Sequence, residues 1–252
     1  MNPNSSAGKV PVVTLGFWIV KILATTLGET GGDTVTMTMN LGYLAGSAIF
    51  VGVLVLLFVL QLRARRFHAW LYWATIVAST TAGTTMADLA DRSLGIGYAG
   101  GSSVLLACLL AVLGLWWWSQ GSVAVSSVTT PKVEMFYWAT ITLSQTLGTA
   151  LGDWMADDTG LGYVGAALVF GSALALVAAA YFLTRLSRVL LFWAAFILTR
   201  PLGATVGDFL DKPLDHGGLA LGRPAASAVI GAAMVACLLL FPQRAAPRAA
   251  AD

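Results

Sequence analysis

Long apolar runs separated by short polar gaps fill most of this chain. Eight runs reach spanning length, at roughly 12–36, 43–62, 70–90, 97–118, 135–157, 162–184, 189–209 and 219–241, where about 20 mostly apolar residues suffice to cross a bilayer. The runs are continuous and do not alternate with period two, so the pattern predicts helices and not barrel strands. Every second run, starting with the first, also carries polar residues inside it. In residues 25–36, "TTLGETGGDTVT" places Glu29 and Asp33 at the end of an otherwise greasy segment.

The polar positions repeat. "FWIVKILATTLGETGGD" (17–33) aligns without gaps to "YWATIVASTTAGTTMAD" (72–88), "YWATITLSQTLGTALGD" (137–153) and "FWAAFILTRPLGATVGD" (192–208). Each copy starts with an aromatic followed by Trp18, Trp73, Trp138 or Trp193. Each places a glycine at Gly28, Gly83, Gly148 or Gly203 and ends on Asp33, Asp88, Asp153 or Asp208. "LGY" at 41–43, "IGY" at 96–98 and "LGY" at 161–163 open the second helix of the first three units; the fourth departs, reading "HGG" at 216–218. The units are 12–66, 67–120, 132–188 and 189–242. The expected fold is all-α and integral to the membrane. Two helices per unit make the units parallel repeats, so eight transmembrane helices form a pseudo-fourfold ring, with a pseudo-twofold pair of halves as the alternative.

Within each motif helix the polar positions fall eight, seven and four residues before the aspartate. They are Thr25, Thr26 and Glu29; Thr80, Thr81 and Thr84; Gln145, Thr146 and Thr149; and Arg200, Pro201 and Ala204. Lys21 lies four residues earlier still in the first unit. Steps of four drift slowly around a helix, so these residues form one stripe. The stripe is expected to line an interior while Trp, Ile, Leu and Val face lipid or the second helices. The motif glycines are expected to let helices approach closely, and the tryptophans to sit at the interface or between units.

Composition narrows the class. The chain of 252 residues is 58% hydrophobic and 10% charged, against about 25% charged for a soluble domain. No cleavable signal peptide is evident. Cys108 and Cys237 sit in apolar runs and read as packing residues. A net charge of +2 without a basic patch gives no reason to expect nucleic acid. Lys9, Arg63, Arg65, Arg66, Lys132, Arg185, Arg188, Arg244 and Arg248 lie at the termini and between units, whereas Arg92, Lys212 and Arg223 lie within units. This asymmetry places both termini in the cytoplasm of a bacterial inner membrane. The intra-unit turns then form an acidic outer mouth, with Asp91, Asp157, Asp158, Asp211 and Asp215, and His216 beside them is a candidate ligand or pH sensor.

The four-unit motif with its Trp resembles a family of bacterial membrane proteins built of four tandem copies of a repeat of unknown function. The resemblance spans about residues 15–241 and implies the eight-helix architecture; it implies no activity.

Function must then be read from the stripe. Ionisable groups inside a membrane are costly and mark functional sites. Lys21 and Arg200 face Glu29, Asp33, Asp88, Asp153 and Asp208, which leaves a formal −3. Crowded carboxylates cannot all stay charged, so a bound cation or protons should restore the balance. Ligands that are all oxygen (Glu29, the four aspartates, Thr84 and Thr149) suit hard ions such as Mg²⁺, Ca²⁺ or Mn²⁺. "GETGGD" is similar to the Glu-x-Gly-Asp signature of certain divalent-cation/proton exchangers, with one residue more. The expected function is transport of a small cation, a hard divalent metal first, coupled to protons, with Lys21 and Arg200 balancing charge. A cation pore and a non-transporting scaffold are the alternatives. No nucleophile–base pair, HExxH or phosphate loop suggests an enzyme, and no resident cofactor is expected. The expected partners are membrane lipid and the cation.

Overall fold

The computed structural model describes residues 7–247. Arg248 lies outside the described residues, as does the side chain of His216. Eight helices follow one another: α1 Leu15–Asp33, α2 Gly42–Arg63, α3 Ala69–Asp88, α4 Tyr98–Gln120, α5 Pro131–Asp153, α6 Gly162–Leu183, α7 Arg188–Asp211 and α8 Arg223–Leu240. Two short strands, β1 (Ala7–Pro11) and β2 (Ala245–Pro247), pair antiparallel and bring the two ends of the described chain together. This ribbon is an addition to the expected all-α plan.

Local chemistry sets the helix starts. Thr14 accepts from Phe17 N at 3.2 Å, Thr130 from Val133 N at 3.4 Å ahead of Pro131, and Ser187 from Leu190 N at 3.4 Å, each satisfying an amide the helix leaves open. In the first three units a π-helical turn follows the motif aspartate directly, at Thr34–Thr38, Leu89–Ser93 and Trp154–Asp158. The chain then reverses at the glycine of "LGY" or "IGY": Gly42, Gly97 and Gly162 all have positive φ, which a side chain would oppose. The fourth unit takes the same step at Gly222 (φ 75°), so its equivalent of the motif is "LGR" at 221–223 and not "HGG".

The helices form two concentric layers. The inner ones meet in the order α1–α3–α5–α7 and back to α1. Each outer helix packs on the inner helix of the next unit: α2 on α3, α4 on α5, α6 on α7, and α8 on α1. This closes a pseudo-fourfold ring, with every unit clasped by its predecessor. α2, α4, α6, α7 and α8 are long and apolar enough to cross a membrane. α1, α3 and α5 fall short of that measure because their polar stripe lowers the mean hydropathy, and they pack inside the outer helices. The outer helices expose Leu44, Val55, Leu56, Leu110, Leu168 and Leu239, as lipid contact requires. Cys108 is exposed and Cys237 half-buried, and neither is in a disulfide.

Helices approach each other at the motif glycines. A Cβ on Gly28 would strike Thr80, one on Gly83 would meet Gln145 C at 3.0 Å and Thr146 N at 2.9 Å, one on Gly148 would strike Arg200, and one on Gly203 would strike Thr25. Each glycine thus receives the residue eight before the aspartate of the next unit. At one end of the axis the aromatics form a matching ring. Phe17 meets Trp73 at 5.4 Å, Tyr72 meets Trp138 at 5.6 Å, Tyr137 meets Trp193 at 6.2 Å and Phe192 meets Trp18 at 5.7 Å between centroids. The tryptophans therefore pack between units. Tyr72 and Tyr137 join hydroxyls at 2.6 Å, closing this end.

Candidate functional site

The stripe faces the axis. Lys21, Thr25, Glu29 and Asp33 on α1, and their counterparts on α3, α5 and α7, are all buried. They stack in layers from the aromatic end to the aspartate end. The deepest layer holds Lys21, Ile76, Ile141 and Phe196. Thr25, Thr80, Gln145 and Arg200 come next, then Glu29, Thr84, Thr149 and Ala204, and finally the four aspartates.

Arg200 occupies the axis itself. Its Nη2 donates to Glu29 Oε2 at 2.8 Å and Thr84 Oγ1 at 2.6 Å, and also contacts Thr149 Oγ1. One guanidinium on α7 thus touches the three other inner helices. Thr84 Oγ1 also lies 3.3 Å from Glu29 Oε2. Lys21, one layer deeper, reaches across to Gln145 Oε1 at 3.5 Å and lies 4.2 Å from the centroid of Phe196.

The aspartates are brought together as the repeat implies, but their charge is balanced differently from the tally of the stripe. Lys212 Nζ stands 3.0 Å from both Asp33 Oδ2 and Asp208 Oδ1. Arg92 bridges Asp88 at 2.9 Å and Asp153 at 3.2 Å, with Asp157 at 3.9 Å. Arg223 approaches Asp33 and Asp211 at 3.5 Å each. The formal −3 is therefore offset within the chain: cations assigned to the turns fold back over the ring. The acidic mouth shrinks for the same reason, because Asp91 and Asp211 are buried while Asp157, Asp158 and Asp215 stay exposed.

Arg92, Lys212 and Arg223 are the site residues that sequence reasoning missed. The signal was present for two of them. Arg92 and Lys212 each follow a motif aspartate by four residues, the spacing at which helical side chains meet. The other two units carry Met37 and Asp157 there, so the pairing is twofold on a fourfold frame. Burial works against the charge of Lys212, but the carboxylates of Asp208 and Asp33 outweigh it and hold the ammonium protonated far above its ordinary range. Burial against Gly101 raises the Asp91 carboxyl to about 6, and nearby Arg92 offsets only part of that.

Glu29, Asp33 and Asp208 can each place one carboxylate oxygen within 4.8 Å of the others, all buried. Among the described residues Asp33 Oδ1 has no hydrogen-bond partner, and an unmet buried polar atom costs about 1–3 kcal/mol. This donor set is all oxygen and suits a hard cation.

The chain matches the family described as Repeat of Unknown Function (DUF347) four times, over residues 16–67, 71–122, 136–187 and 191–242. Neither a curated protein nor a solved structure matches it.

Proposed function

Because the chain belongs to the DUF347 repeat family, whose description assigns no activity, we propose its function from the site alone: it carries a small cation across the membrane, a hard divalent metal ion first, in exchange for protons. The observation that supports this reading is the buried trio Glu29, Asp33 and Asp208, two of whose members, Asp33 and Asp208, are bridged by an ammonium just past the end of α7. Lys212 is a tethered cation. It stands where a mobile one would bind, and it can leave by movement of the turn while the carboxylates stay on their helices. Glu29 answers to Arg200 and the aspartates to Lys212 and Arg92, so an incoming divalent ion trades places with charges the protein already holds. Protons bound by the released carboxylates would complete the exchange.

A carrier fits better than a pore, because the Arg200 guanidinium and the Tyr72–Tyr137 pair lie across the axis. The termini and inter-unit loops would face the cytoplasm of a bacterial inner membrane, in line with their excess of Lys and Arg. In proteoliposomes containing a pH dye, a Mn²⁺ or Mg²⁺ gradient should drive metal uptake together with a pH change. Asp33→Asn and Asp208→Asn, each removing one carboxylate of the trio, should each reduce that flux at least tenfold while the helix content stays near wild type. Flux that persists in both variants would overturn the ion-site assignment. Absence of flux in the wild type would return the chain to a scaffold role.

A further inference from the structure

The carboxylate trio explains the outer layers of the axis but not the deeper ones. Lys21 and Arg200 are both fully buried, in adjacent layers. Between them they have one carboxylate, Glu29, and it bonds Arg200. The aspartate ring lies eight residues further along, about 12 Å by helical rise, and is already bridged by Lys212 and Arg92. With both groups ionised, one positive charge is left over in the middle of the ring.

The hydrogen bonds show the same excess. All the recorded bonds of the guanidinium use Nη2, and among the described residues nothing accepts from Arg200 Nε, Arg200 Nη1 or Gln145 Nε2. The Lys21 ammonium has one long contact, 3.5 Å to Gln145 Oε1, and the face of the Phe196 ring. Thr80 Oγ1, in the same layer, is also without a partner. Fully buried donors rarely go unmet. Here all the unmet nitrogens are donors, and two of them belong to a cation. Water would accept from them but would leave the charge. A second carboxylate would answer both needs, and the chain supplies none at this depth.

We propose that Lys21, Gln145 and Arg200 form a binding site for a small monovalent anion of the halide class, in the centre of the ring and distinct from the cation cluster. The anion accepts from the ammonium, from the Gln145 amide and from the free edges of the guanidinium. Size is limited by Ile76, Ile141 and Phe196, all fully buried around Lys21. The Glu29–Arg200 pair separates this site from the aspartates, so the two ligands of opposite sign would bind one above the other.

The test is an equilibrium measurement on the purified full chain in nanodiscs. It needs no cation flux, so it can fail or succeed independently of the transport proposal. Chloride is titrated into a gluconate buffer and followed by ³⁵Cl line broadening and by melting temperature, with bromide as competitor. The wild type should show saturable chloride binding that bromide displaces, with a higher melting temperature in chloride. Lys21→Met keeps the chain length and removes the charge, and should weaken chloride at least tenfold. Gln145→Glu supplies a fixed carboxylate at the site. It should abolish chloride binding and melt higher than the wild type in gluconate, which decides the matter even if Lys21→Met folds poorly. No saturable binding in the wild type means that Lys21 is neutral or hydrated and overturns the proposal. Chloride binding unchanged in Gln145→Glu does so as well.

Discussion

Arg200 holds the centre of the ring: a single atom of its side chain touches all three other inner helices. Its removal strands Glu29 as a buried carboxylate, and breaking one partner of a buried pair costs about 3–5 kcal/mol. Arg200→Met should therefore lower the unfolding free energy by that order. Glu29→Gln combined with Arg200→Met should recover part of the loss, as read by denaturant unfolding in mild detergent. At the edge of the ring, Asp91 links stability to pH. Its folded-state pKa, raised to about 6 by burial, exceeds the unfolded value of 3.8. The carboxylate is thus disfavoured in the fold, and this penalty is fully present above about pH 6. It fades as the pH falls toward the unfolded value. Asp91→Asn should remove that dependence and add up to about 3 kcal/mol at neutral pH, measured by thermal unfolding across the same window.

At the scale of the elements, the glycines decide how close the inner helices come. Gly83 faces backbone: a Cβ there lies 2.9 Å from Thr146 N and 3.0 Å from Gln145 C, and neither can rotate away. Gly83→Ala should push α3 from α5 and cost roughly 1–3 kcal/mol. Gly31 has nothing within 4 Å of such a Cβ, so Gly31→Ala should instead stabilise α1 by about 0.5–1 kcal/mol. Paired melting curves check the contrast, which generic helix propensity alone would not produce. The π-helical turns after Asp33, Asp88 and Asp153 belong to this scale too. They place three motif aspartates at the last α-helical position, where the chain turns over the ring and brings Arg92 back onto it.

For the whole molecule, closure depends on α8 covering α1 and on β1 pairing with β2. The first and last described segments are neighbours, and every unit is held by the one before it. A ring of this kind has no privileged starting point. A circular permutant that joins the present ends by a short linker and opens between α6 and α7 should fold to the same helix content. Its melting temperature should stay within a few degrees of wild type. Loss of the cooperative transition would show that the order of the units matters and not their cyclic contacts.

The chain by itself determined the repeats, the helix count and the polar stripe, because all three are periodicities and a period survives without knowledge of neighbours. The gapless alignment from Phe17, Tyr72, Tyr137 and Phe192 to the four aspartates already implies equivalent positions around one axis. Only the tertiary structure decided which charges meet. Spacing of four points Arg92 at Asp88 and Lys212 at Asp208, but their partners from other units, Asp153 and Asp33, are set by how the units close into the ring. Nor could the clasping of each inner helix by the preceding unit's outer helix be read from order along the chain, since a two-helix unit packs as readily on itself as on its neighbour. The depth of Lys21 and Arg200 was legible from the stripe. Their shortage of acceptors was not, because a missing partner is a property of every residue that surrounds them.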